Sequence, residues 1–195
     1  TGAIYPTNTD YGYSFTFNNG SAKNGFAKRS VGMSIRPVKM SNIVRIDNSK
    51  IVVGDLENNG RIRIEIYNEY GYNGLTKANP PLDITKINFD KSMAVTFSIT
   101  GINGNLKEGA PSTFNAGLEY ATSSWWPSYW SSLDGSKPDW DTVVKGDGRY
   151  TVKMEAEANC MGAVVFTVDI ANLGANLVDL TKVHVTIDKV ELDPQ

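Results

Sequence analysis

Apolar and polar residues alternate one by one along much of this chain, and nowhere does an apolar stripe keep helical spacing for three turns. Alternation with a period of two is the signature of a strand with one buried face, so the pattern predicts an all-β fold. In residues 61–67, Ile62, Ile64 and Ile66 alternate with Arg63, Glu65 and Tyr67. The segment KSMAVTFSIT behaves likewise, with Met93, Val95, Phe97 and Ile99 on one side. Further strands are predicted at AGLEYA (Leu118, Tyr120), RYTVKME (Tyr150, Val152, Met154), AVVFTVDI (Val164, Phe166, Val168, Ile170) and VHVTIDKVEL. Turn dipeptides punctuate them: Asn59-Gly60, Asn103-Gly104, Asp134-Gly135 and Asp147-Gly148 are favoured in hairpins. Many short strands with such turns predict two packed antiparallel sheets, a β-sandwich of the jelly-roll kind. The last strand changes phase, because Val183, Val185 and Ile187 alternate in one register and Val190 and Leu192 in the other; a bulge near Asp188-Lys189 reconciles them. The stretch ANLGANLVDLTK before it suits a short helical turn.

Two connections are long for such a fold, residues 68–83 and 122–142, and long ordered loops tend to carry function. The second contains Trp125, Trp126, Tyr129, Trp130 and Trp140, interleaved with Ser, Pro and Asp instead of aliphatic residues. So many rings with so few apolar neighbours cannot all be buried, and an exposed aromatic cluster marks a binding surface. The plain alternative is that some of the tryptophans anchor the loop to the core. Tyr70 and Tyr72, beside Asn68, pack the loop or offer a second stacking platform. A pyranose ring has an apolar face of C–H groups and a rim of hydroxyls, so rings that stack on the face and amides, carboxylates and guanidinium groups that bond the rim form a sugar site. On the strands, Arg63, Glu65 and Tyr67 lie opposite the isoleucines, and Glu119 opposite Leu118 and Tyr120. Lining a concave sheet, they would read hydroxyls; otherwise they form a solvated face with cross-strand ion pairs.

Charge and composition narrow the chemistry. Across 195 residues, 19 basic and 21 acidic side chains are scattered without a basic stripe, which argues against nucleic acid. No apolar run approaches a membrane span and no leader-like order opens the chain, so the expectation is a soluble, excised or mature segment without membrane insertion. Cys160 and His184 are the only cysteine and histidine, which leaves no disulfide, no cysteine-rich zinc site and little for a nucleophile–imidazole pair. No cofactor is expected; a metal, if any, would be structural calcium with Asp193 or Asp188 as ligands. A rival reading is a glycoside hydrolase using Glu65 and Glu119 as a carboxylate pair. Another is an adhesive surface domain, whose aromatics would be covered at a domain interface.

From about residue 51 onward the order of features resembles the jelly-roll carbohydrate-binding modules of bacterial cellulases and hemicellulases. The resemblance lies in IRIEIYN followed by PPLDITKINFDKSMAVTFSITGI, in the hairpin GDGRYTVKME, and in the closing strand VHVTIDKVELD. It implies a non-catalytic, monomeric module that binds plant cell-wall β-glucan and directs an attached catalytic domain, in a secreted or bacterial cell-surface protein. Residues 1–40, with GYSFTFNNGSAKNGFAKRSVGMSIRPVK, resemble the tail of surface-lipoprotein domains of Bacteroidetes and Fibrobacter. The expected division is therefore residues 1–40, a remnant of a neighbouring module or two strands of the same sandwich, and residues 41–195, the binding module.

Overall fold

A computed structural model describes residues 11–18, 21–28, 42–70, 79–130, 133 and 140–194. The chain divides into two compact units, residues 1–40 and 41–195. In the first, β1 (Tyr11–Asn18) and β2 (Ser21–Lys28) pair antiparallel, with Tyr11 opposite Lys28 and Asn18 opposite Ser21.

The second unit is an antiparallel β-sandwich. Its strands are β3 (Asn42–Val44), β4 (Val52–Gly54), β5 (Ile62–Asn68), β6 (Asn88–Phe89), β7 (Ser92–Thr100), β8 (Phe114–Ala121) and β9 (Ser128–Tyr129), followed by β10 (Thr142–Val144), β11 (Gly148–Glu155), β12 (Cys160–Met161), β13 (Val165–Ile170) and β14 (His184–Leu192). One sheet has the order β10-β8-β13-β5-β4, with β9 also on β8; the other has the order β11-β7-β14-β3. The short pair β6–β12 stands apart from both.

The alternation predicted from sequence builds the core. Ile62, Ile64 and Ile66 of β5, Phe114, Leu118 and Tyr120 of β8, and Phe166, Val168 and Ile170 of β13 meet Met93, Val95, Phe97 and Ile99 of β7 and Ile187, Val190 and Leu192 of β14 in one buried cluster. Each isoleucine removed from water in this way contributes roughly 2–3 kcal/mol before the cost of ordering the chain. The change of phase in β14 is a bulge at Asp188, whose neighbours Ile187 and Lys189 pair with Phe97 and Thr96. ANLGANLVDLTK forms the short helix α1 (Leu173–Asn176) and a 3-10 turn at Leu180–Lys182.

The turn dipeptides behave differently from the hairpin expectation. Asn59-Gly60 does lie in the connection between the paired strands β4 and β5. Asn103-Gly104 follows β7 and precedes β8, and Asp147-Gly148 joins β10 to β11; each connects one sheet to the other. The two crossings are tied together, because the Asp147 carboxylate accepts from the Ile102 and Asn103 amides and the Asn103 side chain accepts from Asp147 N–H. A dipeptide suited to a tight reversal thus serves a change of sheet when its side chain caps the neighbouring loop. Gly101 makes the first crossing possible: at φ +87° it passes the Lys182 carbonyl so closely that a Cβ would sit 1.9 Å from that oxygen. Asp134-Gly135 lies outside the described residues.

Candidate functional site

The outward face of the larger sheet is built in cross-strand rows over β5, β13 and β8. Arg63, Asp169 and Gly117 form one row, Glu65, Thr167 and Glu119 the next, and Asn68, Val165 and Ala121 the last. Tyr67 leaves this face. Between Glu65, opposite Thr167, and Tyr67, opposite Phe166, Ile66 has no partner, and this bulge turns Tyr67 against the core and Asn68 outward. Tyr67 is thereby removed from the polar face that strict alternation had assigned to it.

That polar face is not open to water. Arg63, Glu65, Asn68, Glu119 and Asp169 are all buried, as is Arg61 just before β5. Arg61 donates through Nη1 to Glu119 and to Asp169, at 2.7 Å each. Arg63 donates through Nε and Nη2 to Asp169, through Nη2 to Glu119 at 2.6 Å, and through Nη1 to Glu57. The expectation of a solvated strand face fails for a nonlocal reason: Trp140 of the 122–142 connection and the Glu57 turn lie on it. Trp140, which is 2% exposed, packs on Gly117, where a Cβ would come within 2.1 Å of its Cδ1, and its ring lies 5.9 Å from the Arg61 guanidinium.

Burial sets the electrostatics of this network. Loss of water and the neighbouring Asp169 carboxylate outweigh the two guanidinium groups and push the Glu119 carboxyl up to about 7. Burial works against the charge on Arg61 and Arg63, but the Asp169 and Glu119 carboxylates outweigh it and hold both more firmly protonated. Three acids, Glu57, Glu119 and Asp169, surround two guanidinium groups, so the fully ionised cluster carries one excess negative charge.

The aromatic residues of the 122–142 connection divide into anchors and exposed rings. Tyr129 (8% exposed) sits on β9, and its hydroxyl accepts from Glu157 N–H at 2.6 Å. Tyr129 and Trp140 therefore depart from the expectation that they stack on a ligand; each ties the connection to the sandwich. In the same connection Trp125, Trp126 and Trp130 are 44%, 69% and 38% exposed, and Tyr70, just past β5, is 70% exposed. Trp125 stacks with Tyr70 at 5.9 Å and 28°, and with Trp130 at 6.3 Å and 21°. Trp126 has no ring partner among the described residues and is not among the residues lining the cleft.

The stack is fixed by its backbone. Thr122 accepts the Trp125 amide at 2.9 Å and donates its own amide to Pro127, while the Thr122 and Ser124 hydroxyls donate to the Trp126 carbonyl. Trp125 itself has φ +63°, a left-handed conformation uncommon for so large a residue. Such strain persists where surrounding bonds enforce it and is frequent at binding sites. On the other side, the Asn68 side chain donates to Glu65 and accepts the Tyr70 amide at 3.0 Å, which sets where Tyr70 leaves the sheet.

Together these elements enclose a cleft of about 320 Å³, lined by Tyr70, Trp125, Trp130, Val165, Asn68, Arg63 and Glu57. That volume is at the small end of ligand pockets. Of the residues expected to bind, Tyr70, Trp125, Trp130, Asn68 and Arg63 meet here; Glu65 and Glu119 lie beneath without lining it, and Tyr72 is outside the described residues. Glu57 and Val165 were missed, as were Arg61 and Asp169 of the supporting network. Asp169 was legible as an outward position of AVVFTVDI, whereas Glu57, in an irregular turn, had no periodic signal.

The residues considered for calcium have other work. The Asp193 carboxylate accepts the amides of Asp90, Lys91 and Ser92, and Asp188 accepts from Arg149 and Ser98. Among the described residues no group of three or more His, Cys, Asp or Glu side chains gathers to hold a metal, and no described helix is long and apolar enough to cross a membrane. Comparison with known proteins finds no family model, no curated protein and no solved structure that matches this chain.

Proposed function

We propose that residues 41–195 form a non-catalytic carbohydrate-binding module of the jelly-roll kind, and that the Tyr70–Trp125–Trp130 cleft is where a single plant cell-wall β-glucan chain binds. The observation that carries the proposal is the stack itself: three large rings are kept partly in water by an ordered, strained turn, next to buried amide and guanidinium groups. In this reading the protein is secreted or displayed on a bacterial surface and directs an attached hydrolase to its substrate.

The hydrolase alternative has one feature in its favour, the Glu119 carboxyl raised to about 7, near the value a general acid needs. Against it, both Glu119 oxygens accept from arginine, and neither Glu119 nor Glu65 lines the cleft. A general acid must reach the glycosidic oxygen, so binding without cleavage is the better-supported reading.

Affinity electrophoresis in gels containing hydroxyethylcellulose, xyloglucan, mixed-linkage β-glucan or xylan, with a parallel reducing-sugar assay, tests the proposal. Retardation in at least one gel without release of reducing ends is expected. Release of reducing ends replaces the module with a hydrolase, and free migration in every gel removes the glycan reading.

A further inference from the structure

We infer that Glu57 makes the aromatic cleft selective for uncharged sugars, admitting a hexose with a neutral hydroxymethyl group and rejecting the matching uronate. The inference rests on the glycan-binding reading above and names what that site discriminates. A cleft that captured a carboxylate or sulfate would need a cation free to meet it, usually an arginine offering two parallel N–H groups. Arg63 is the cation among the described lining residues, and its guanidinium is already engaged by Asp169, Glu119 and Glu57. Glu57 accepts from Nη1, the guanidinium nitrogen that Asp169 and Glu119 do not engage.

The charge balance points the same way. The two arginines face three carboxylates, and of these three Glu57 is the water-facing one: its side chain is 22% exposed, against 4% and 0% for Glu119 and Asp169. Its second oxygen is braced by the Asn59 side-chain amide, so the carboxylate is held at the rim instead of swinging away. An anionic sugar stacked on Trp125 or Trp130 would therefore meet a fixed negative charge and find the guanidinium occupied. A neutral sugar meets the same oxygens as hydrogen-bond acceptors for its hydroxyls.

The test uses a matched pair of ligands, cellotetraose and the β-1,4-linked tetraglucuronate that differs from it at C6, titrated calorimetrically into the whole chain. The wild-type protein is expected to bind tetraglucuronate at least about tenfold more weakly, with the gap narrowing as salt rises from about 20 to about 500 mM, since exposed like charges are screened. E57Q, which removes the rim charge, is expected to bring the pair within about threefold, read as the ratio of the two affinities. The salt series reads the same repulsion in wild-type protein should E57Q prove poorly folded. Equal wild-type affinities for the pair, or a gap indifferent to both salt and E57Q, overturn the inference and leave the glycan site standing. Failure of both ligands to bind removes the cellulose-type glycan reading and this inference with it.

Discussion

At the scale of single residues, the same side-chain type does opposite jobs within one loop. Trp140 and Trp125 share a loop, yet one is sealed over Gly117 and the other stands in the cleft. Their substitutions should separate cleanly. Tyr70→Ala, Trp125→Ala and Trp130→Ala are each expected to weaken glucan binding by about 1–3 kcal/mol, read by calorimetry, with small changes in melting temperature. Trp126→Ala should leave affinity nearly unchanged. Trp140→Ala should instead lower stability by roughly 3–5 kcal/mol in denaturant titration, because it empties a buried site and uncovers the Arg61 guanidinium. A Trp140 variant of normal stability that fails to bind would reverse these assignments. Glu119 offers a prediction in pH. Its ordinary carboxyl value is 4.5 and its folded value about 7, so between these the folded state holds a proton that the unfolded chain has lost. The contribution of this residue is therefore full in acid and declines as pH rises toward 7, with a slope of up to roughly 1.4 kcal/mol per pH unit. Wild-type melting temperature should fall relative to Glu119→Gln between about pH 5 and about pH 7.5; parallel curves would contradict a raised carboxyl.

At the scale of elements, the 122–142 connection works as a strap tied to the sandwich at two points. Tyr129, set between Trp126 and Trp130, holds the tryptophan segment to β8 through β9, and Trp140 packs on Gly117 of β8. Pinning matters because rings ordered before a ligand arrives lose less conformational entropy on binding. Gly117 is the weak point of this arrangement, since any side chain there would strike the Trp140 ring. Gly117→Ala is expected to cost on the order of 1–3 kcal/mol in stability and to weaken binding through the displaced strap, with altered near-ultraviolet circular dichroism of the tryptophans. Unchanged spectra and affinity would show that the strap does not depend on this contact. The strands themselves were legible in the sequence because burial on one face needs only local alternation, and the isoleucines of β5 and the bulge of β14 follow from it. The bulge at Ile66 was not legible, because IRIEIYN alternates without a break and only pairing with β13 reveals the extra residue.

At the scale of the whole molecule, the candidate site arises where three neighbouring strands of one sheet end near Val165 and two distant connections converge. That convergence explains what sequence could and could not say. Tyr70, Trp125 and Trp130 stood out because rings without aliphatic neighbours are conspicuous in any order, but which tryptophan would be covered depends on a glycine two dozen residues away. The outward charges of β5, β8 and β13 read as solvated by pattern alone; their burial depends on what the loops lay across them. The fold thereby converts an ordinary polar sheet face into a buried ionic floor beneath an aromatic cleft.

The most direct test of the account follows the four tryptophan indole N–H signals by two-dimensional nuclear magnetic resonance during titration with cello-oligosaccharide. Saturable shifts at Trp125 and Trp130, with Trp140 stationary, are the predicted result. Signals that all stay in place at millimolar sugar, or a response confined to Trp140, would contradict it.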